Sequence, residues 1–340
     1  MRRRSSLPWL AATLFAAALA AVPVSSANAG SANAGSTNAG SANSGSATAG
    51  QPGPTQWREV FSPDGTITKV RVPKQADPAP DARALRAAKA ADVVPIQETG
   101  PSDSRFDMVI VGDGYTASEQ GTLRQHAEAK WEEIAATEPW SQYRDSVNVW
   151  LVNVVSPESG VDNDPSEGID RDTALDMGFF CGGTERLLCL NEAKAQSYAG
   201  QAPGQDAIVA VGNTAKYGGA GYPSLATVAG ANDQAGQIAI HELGHSVGGL
   251  ADEYYTPGTT HSGGEPAEPN VTTDPAGAKW ASYLGRATPD GGVIGAFQGG
   301  RYAENGIFRP SEDSLMRTLG KPFNLIGLDV MSRAISSKIH

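Results

Sequence analysis

The sequence predicts a mixed α/β fold, with one large domain behind a small N-terminal appendage. Two observations predict it. Between residues 106 and 246, short apolar runs typical of buried strands alternate with helix-like segments. In addition, the first 54 residues look like export and linker sequence, which leaves about 285 of the 340 residues to form a core.

The first 29 residues have the layout of a secretory signal peptide. Three arginines precede an apolar run from about residue 8 to residue 24, and an Ala-x-Ala site follows at residues 27–29. The run is shorter than the roughly 20 residues of a spanning helix, which favours cleavage over a membrane anchor. Arg3 and Arg4 hint at twin-arginine export, although Ser5 fits that pattern poorly, so the export route stays open. We expect a secreted, extracellular protein.

Residues 30–54 are predicted to be a low-complexity linker. A five-residue repeat, SANAG with small variations, runs from Ser26 to Gly50 and contains no charge and nothing larger than Asn. A segment of this kind has no apolar face to bury, so we expect it to be flexible. Two roles fit this segment equally well: a spacer that holds the domain away from a cell wall, or a tail without a function.

The charge balance excludes some partners. The chain has 26 basic and 37 acidic residues; without residues 1–29 the balance is 23 against 37, a net charge of −14. This sign gives no electrostatic attraction to nucleic acid or to an anionic membrane. No later segment is long and apolar enough to span a bilayer. We expect neither kind of partner for the mature chain, and the oligomeric state stays open.

Residues 55–100 are predicted to form the appendage. Apolar residues alternate on both sides of the turn Pro63-Asp64-Gly65, which indicates a β-hairpin. A proline-bounded, alanine-rich stretch that follows indicates a helix.

Residues 101–340 are predicted to form the main domain. It begins with a buried strand at 106–111, and Thr116 with Glu119 makes a capping box for the next helix. Further strands are predicted in SVNVWLVNVVS, DAIVAVGN and the short PSLATVAG. The glycine-rich stretch KYGGAGYPSLATV is expected to form the upper rim of a substrate cleft, with its short strand pairing with an extended substrate. Asn232 or Asp233 is expected to cap the helix that carries HELGH.

Two cysteines, Cys181 and Cys189, stand eight residues apart with two glycines between them. In an exported protein this pair favours a disulfide, which would contribute on the order of 2–3 kcal/mol in the chain-entropy model. Two free thiols are the alternative. A thiolate zinc site would need two more soft ligands nearby, and the sequence has none there.

The motif HELGH predicts a zinc site. Positions i and i+4 of a helix share a face, so His241 and His245 can both present a ring nitrogen to one cation. Glu242 points aside, where it can act as general base toward a metal-activated water. The alternative is a histidine pair whose ring nitrogens simply bond to neighbouring groups. The glycines Gly248 and Gly249 at the helix end favour zinc, because they let the chain turn back beneath the metal.

The third ligand is expected just downstream. In the pattern HExxHxxGxxH the third histidine would fall at position 251, which is alanine here, although Gly248 matches the glycine. Asp252 is nearest to this register and has the shorter side chain, so we favour it over Glu253 as the ligand. A Ser-x-Met sequence ending at Met316 is the candidate methionine turn beneath the metal.

Several stretches in order resemble the IgA-specific metallopeptidase-like family. They span about Phe106 to Leu319 and are VIVGDGYTASE, NVWLVNVVSPESGVDND, CGGTERLLC, VGNTAKYGGAGYPSLATV, HELGHSVGGLADEY and SLMR. The resemblance implies a metzincin-like zinc endopeptidase with His241 and His245 as zinc ligands and Glu242 as catalytic residue. Asp252 falls within the acidic pair of that family. Nothing in this sequence implies immunoglobulin A as the substrate.

The resulting hypothesis is a secreted endopeptidase with one catalytic Zn²⁺ and a protein or peptide substrate. One alternative is a non-catalytic secreted surface-binding protein that keeps a structural metal. A zinc hydrolase of non-peptide bonds is another, which the spacing of the motif does not exclude. The sequence also leaves open whether residues 55–100 act as an inhibitory propeptide.

Overall fold

The computed structural model describes residues 54–74 and 78–340, so the predicted signal peptide and most of the predicted linker lie outside the described residues. The helices are α1 (Ala82–Lys89), α2 (Gln120–Ala135), α3 (Trp140–Tyr143), α4 (Glu192–Ala199), α5 (Gly236–Ser246) and α6 (Leu325–Ser336). The strands are β1 (Thr55–Phe61), β2 (Ile67–Pro73), β3 (Val93–Gln97), β4 (Phe106–Asp113), β5 (Val147–Val152), β6 (Ala207–Gly212), β7 (Gly219–Gly221), β8 (Leu225–Ala229), β9 (Tyr255–Thr260), β10 (Phe297–Gly300) and β11 (Tyr302–Arg309). The predicted mixed α/β class is confirmed. None of the described helices is long and apolar enough to cross a membrane.

Strands β1 and β2 form the predicted antiparallel hairpin. Its turn contains Gly65 at φ 88°, a backbone conformation that glycine adopts without steric cost. The Asp64 carboxylate accepts a hydrogen bond of 3.0 Å from the Thr66 amide and so stabilises the turn. We call residues 55–73 the N-terminal hairpin.

The central sheet has six strands in the order β3-β5-β4-β6-β8-β7. Strands β5, β4, β6 and β8 run parallel, and the two edge strands are antiparallel to their neighbours. The short strand predicted in PSLATVAG is β8, which is interior; the edge strand before α5 is the glycine-rich β7. Strand β3 falls within the predicted appendage but pairs with β5 as part of this sheet.

Both faces of the central sheet are covered, which explains the uninterrupted apolar sequence of β4. Met108 and Ile110 belong to one core with α2, α5 and α6. Val109 and Val111 belong to a second core on the opposite face, with α4 and the loop that carries the cysteines. A parallel sheet buried on two faces requires this kind of apolar run.

Helix α2 packs as its sequence predicts. The capping box is present, and the Thr116 amide donates to the Glu119 carboxylate at 2.9 Å. The buried residues of the helix include Leu123, Trp131 and Ile134, which recur at the helical period.

The prediction that Asn232 or Asp233 caps α5 is wrong. The helix begins after Ala235 with no side-chain cap, and Asn232 instead accepts a bond from the Gln234 amide within the preceding turn. The N-terminus of α5 therefore relies on packing beneath the sheet, where Ile238 and Leu243 are buried.

A second, three-stranded sheet of order β10-β11-β9 follows α5, and α6 completes the chain. The Asn324 side chain caps α6 by accepting a 2.9 Å hydrogen bond from the Gly327 amide. On the opposite side of the central sheet, Cys181 and Cys189 form the expected disulfide, with their Cα atoms 5.9 Å apart.

Candidate metal centre

Helix α5 presents two histidines to one point. His241 and His245 lie one turn apart, and their Nε2 atoms are 3.1 Å from each other. The Nδ1 atom of His241 lies 3.1 Å from the carbonyl oxygen of Leu315, and that of His245 lies 2.7 Å from the carbonyl oxygen of Leu250. Because a carbonyl oxygen only accepts, each Nδ1 carries a proton, and each ring directs its Nε2 toward the shared point.

The glycine pair at the end of α5 makes this geometry possible. A Cβ on Gly248 would lie 2.6 Å from the sulfur of Met331 in α6, so the close packing of the two helices requires glycine. Gly249 has φ 60° and reverses the chain. The reversal returns the Leu250 carbonyl to the His245 ring and leads directly to Asp252.

Asp252 joins the histidines. Its Oδ1 atom lies 3.3 Å from both Nε2 atoms, while its Oδ2 accepts a 2.5 Å hydrogen bond from the Tyr302 hydroxyl. The Asn270 side chain holds the adjoining backbone, bonding the amide nitrogen and the carbonyl oxygen of Ala251 at 2.7 and 2.8 Å. The carboxylate is therefore fixed at both its backbone and its outer oxygen.

Glu253 points away from the histidines. Its fully buried carboxylate accepts hydrogen bonds of 2.7–3.1 Å from Ser314, Asn270 and Asn324. Burial raises its pKa to about 7, against the opposing effect of these hydrogen bonds. Glu253 thus ties the chain after α5 to Ser314 and to the cap of α6.

A fourth donor comes from the N-terminal hairpin. Glu59 places Oε2 3.2 Å from Nε2 of His241 and 3.7 Å from Nε2 of His245. Its other oxygen accepts a 2.5 Å hydrogen bond from the Tyr254 hydroxyl. One donor atom each from Glu59, His241, His245 and Asp252 lies within 4.8 Å of all the others, and we call these residues the four-donor group.

The electrostatics of the four-donor group call for a cation. When both rings are neutral with Nδ1 protonated, two Nε2 lone pairs and two carboxylate oxygens face one another. Burial opposes a charged ring, yet the Asp252 and Glu59 carboxylates outweigh it and raise the pKa of His241 to about 10. Burial also opposes a charge on His245, but the same two carboxylates raise its pKa well above the usual value. The ammonium of Lys69, the cross-strand partner of Glu59, attracts both carboxylates. The shared point between the donor atoms suits a further cation, and the donor types fit a divalent metal.

Glu242 lies beside the four-donor group without belonging to it. Its carboxylate is buried, and Oε1 has no hydrogen-bond partner. A Cβ on Gly221 would lie 1.9 Å from Oε2, so the carboxylate packs directly on the edge strand β7. Burial, followed by the charge of Glu59, raises the pKa of Glu242 to about 7.

The segment around Met316 lies beneath α5. The Leu315 carbonyl contacts the His241 ring, and the sulfur of Met316 would be 2.6 Å from a Cβ on Gly244. The Met316 carbonyl oxygen accepts a 2.7 Å bond from the Glu253 amide. Met316 is therefore buried under the histidines, in the core that α5 shares with α6.

A cavity of about 240 Å³ opens beside the four-donor group, lined by His245, Asp252 and Tyr302 among others. A larger cavity of about 630 Å³ is lined by Tyr254 and by residues of the hairpin turn and the loop after Met316, but by no member of the four-donor group. We place the chemistry at the smaller cavity, because the converging donor atoms are there.

The sequence predicts His241, Glu242, His245 and Asp252 as site residues, but it does not indicate Glu59. No motif surrounds this glutamate, which reaches the histidines from a strand 182 residues away. The two tyrosines were also missed. Tyr254 stands at the end of the stretch HELGHSVGGLADEY and could have been considered, whereas Tyr302 has no signal in its neighbourhood.

The mixed α/β fold and the four-donor group define a candidate metalloenzyme. Residues 94–291 and 286–335 match the family model described as IgA peptidase M64. The match covers more than half of the chain, and the chain belongs to this peptidase family. A second model, pentapeptide repeats (8 copies), matches residues 21–52, where the five-residue repeat occurs. No curated protein matches the chain.

Proposed function

We propose that this protein is a secreted zinc-dependent endopeptidase. In this proposal His241, His245 and Asp252 hold one catalytic zinc ion, Glu242 is the general base, and the substrate is a protein or peptide. The observation that carries it is the convergence of two Nε2 atoms and one carboxylate oxygen at 3.1–3.3 Å, next to a buried glutamate with an unpartnered oxygen. Membership of the peptidase family supports the same reaction.

The spacing of the donors supports zinc in particular. Ligand atoms at about 2.0–2.1 Å from a tetrahedral zinc ion are ~3.3 Å apart. The separations involving His241 and His245 are 3.1–3.7 Å, and the nitrogen and oxygen donors are types that zinc prefers. The outer atoms of these ligands bond to carbonyl and hydroxyl groups, as the ligands of metal sites generally do.

In the proposed mechanism, Glu242 transfers the proton and Asp252 is held in position as a ligand. A bound zinc ion supplies Lewis acidity, which polarises the scissile carbonyl and lowers the pKa of water. Glu242 has no hydrogen bond to give up at Oε1, so this oxygen accepts the proton of the attacking water and returns it to the leaving amine. The Tyr302 hydroxyl and the backbone clamp of Asn270 hold the Asp252 carboxylate in the orientation that faces the two histidines.

Strand β7 is the proposed substrate-binding edge. It is the last strand of the central sheet, and Gly221 contacts the Glu242 carboxylate directly. An extended peptide that pairs with this edge would pass beside the general base. The short strand that the sequence predicts in the stretch KYGGAGYPSLATV is β8, which lies inside the sheet, so β7 of the same glycine-rich stretch offers the edge.

Two further features fit the proposal. The packing of Met316 beneath Gly244, with the preceding carbonyl on His241, supports its role as the methionine turn of a metzincin-like fold. The Cys181–Cys189 disulfide supports export to an oxidising compartment outside the cell.

A non-catalytic protein with a structural metal is the second candidate. The fourth donor, Glu59, favours it, because structural zinc is normally closed by four protein ligands. Glu242 argues against this candidate. It is a buried carboxylate that is not a ligand, and a structural metal site does not need such a group.

A digest of a peptide library by the zinc-loaded protein, read by mass spectrometry, tests the proposal. We expect cuts inside peptides, their loss on chelation and their return with added zinc. The Glu242→Gln variant, loaded with the same amount of zinc, is the matched control and should leave the library intact. Zinc bound at full occupancy with no cut in any peptide, by the parent chain and by its Glu59→Gln variant alike, would support the structural-metal candidate instead.

A further inference from the structure

The N-terminal hairpin lies outside the region that matches the peptidase family, which begins at residue 94. It nevertheless contributes Glu59 to the four-donor group. The Oε2 atom of Glu59 lies 3.2 Å from Nε2 of His241, a separation like those between the other donors. A segment outside the matched domain therefore reaches its proposed catalytic metal.

A hydrogen bond to its second carboxylate oxygen fixes the orientation of Glu59. The Tyr254 hydroxyl donates to Oε1 at 2.5 Å and leaves Oε2 directed at the histidines. Asp252 is held in the same way by Tyr302, with one oxygen bonded to a hydroxyl and the other facing Nε2. The equivalent environment of the two carboxylates indicates an equivalent role. The Glu59 side chain is 12% exposed, and its cross-strand partner Lys69 supplies positive charge to both carboxylates from the side of β2. The Oε2 atom of Glu59 nevertheless faces the histidine nitrogens.

The hairpin also occupies the proposed substrate edge. Arg58 donates from Nη1 to the carbonyl oxygen of Gly221 at 2.6 Å, and its guanidinium stacks 4.2 Å above the ring of Tyr222. A peptide that paired with β7 would use this backbone edge. Glu59 and Arg58 are adjacent, so one short stretch of β1 contacts both the histidines and the edge strand.

The hairpin is anchored by specific contacts. Phe61 and Val72 are buried, and the ring of Phe61 meets that of His241 edge to face at 5.6 Å. At the turn, the Gly65 carbonyl accepts a 2.9 Å bond from the Leu319 amide, just beyond Met316. Arg186 donates at 3.0 Å to the carbonyl of Phe61. These contacts fix the register that places Glu59 over the histidines.

We propose that Glu59 is a fourth ligand of the metal and that the N-terminal hairpin is an inhibitory segment that keeps the peptidase latent. The inference rests on the proposed function, because latency presupposes a catalytic metal. Glu59 fills the coordination position that a catalytic zinc site leaves open, and Arg58 closes the edge at which a peptide would pair. Hydrolysis then requires that the hairpin leave the cleft.

The test compares the full chain with its Glu59→Gln variant. The matched control is Asp64→Asn, which removes one charge from the same hairpin at its exposed turn, where the carboxylate bonds only to local turn groups. Three quantities are measured: the zinc dissociation constant by competition with a chelating dye, the visible absorption of the Co²⁺-loaded protein, and peptide hydrolysis at saturating zinc.

We expect Glu59→Gln to weaken zinc binding at least about 10-fold, to change the Co²⁺ spectrum, and to raise hydrolysis at least about 10-fold. Asp64→Asn should match the parent chain in all three. An unchanged dissociation constant and Co²⁺ spectrum would show that Glu59 is not a ligand. Hydrolysis no faster than that of Asp64→Asn would overturn the inhibitory role.

A further variant separates this inference from the proposed function. His245→Ala should lose zinc, and retention of the metal would contradict the metal site itself. If His245→Ala loses zinc while Glu59→Gln binds it as the parent does, the metal site stands and only the inference about the hairpin fails.

Discussion

At the scale of single residues, neighbouring carboxylates have opposite surroundings. Asp252 faces two histidine nitrogens, whereas Glu253 is enclosed by amide and hydroxyl donors. The direction of a side chain reverses from one residue to the next along an extended chain, and this separates them. Sequence alone offered both as ligands, because it does not show on which residue the turn after Gly249 ends.

We predict that Asp252→Asn weakens zinc binding severely, because a neutral amide oxygen is a poor replacement for a carboxylate on Zn²⁺. Glu253→Gln should keep most of its zinc and lose stability instead, since it disturbs hydrogen bonds to Asn270 and Asn324. Zinc titration of both variants checks this. The assignment is reversed if Glu253→Gln loses the metal and Asp252→Asn retains it.

Glu242→Gln should bind zinc as tightly as the parent and lose hydrolysis by ~10²–10⁴-fold or more. The amide keeps the size of the side chain but cannot accept the proton. Turnover and metal content measured on the same preparation distinguish this from a loss of zinc. Wild-type turnover in the variant would assign the base to another residue.

At the scale of secondary-structure elements, the sequence predicted those whose signals are local. The buried apolar residues of α2 recur every three or four positions, and the capping box of Thr116 and Glu119 marks the start of the helix. Strands β9 and β10 were not predicted, because β9 is mostly exposed and β10 is rich in glycine, so neither has an apolar period. Helix α6 was also not predicted, although its cap Asn324 and its buried Met331 and Ile335 are local signals. Glu59 was missed for another reason: it meets His241 only through tertiary packing, and no local pattern encodes that contact.

The contact between β7 and α5 leads to a prediction about Gly221. In Gly221→Ala the new Cβ would meet Oε2 of Glu242 at 1.9 Å, so the carboxylate must move away from its position. We expect zinc binding to persist and hydrolysis to fall on the order of 10²-fold, as misplacement of a catalytic group by about 1 Å typically does. Gly121→Ala in α2, where a Cβ meets nothing within 4 Å, is the matched control. Equal kcat/KM in the two variants would contradict the placement of Glu242.

At the scale of the whole molecule, the four-donor group joins three separate parts of the chain: the N-terminal hairpin, α5 and the turn after it. A metal bound there should stabilise the fold by linkage. At zinc concentrations about 1,000 times the dissociation constant the stabilisation is about 4 kcal/mol. We predict that a chelator lowers the Tm of the parent chain in calorimetry and leaves that of His245→Ala unchanged. The same Tm with and without chelator in the parent would argue against a bound ion.

The position of β3 has a consequence for shortened forms of the protein. This strand pairs with β5 and covers what would otherwise be an open edge of the central sheet. A shortened chain that begins at residue 101 would present the free backbone groups of β5 to other molecules and invite edge-to-edge aggregation. A cut between residues 74 and 81 would break the covalent link between the hairpin and the domain and keep the edge protected, because β3 stays paired with β5. The solubility of a trimmed chain therefore depends on whether its first residue precedes or follows Val93–Gln97.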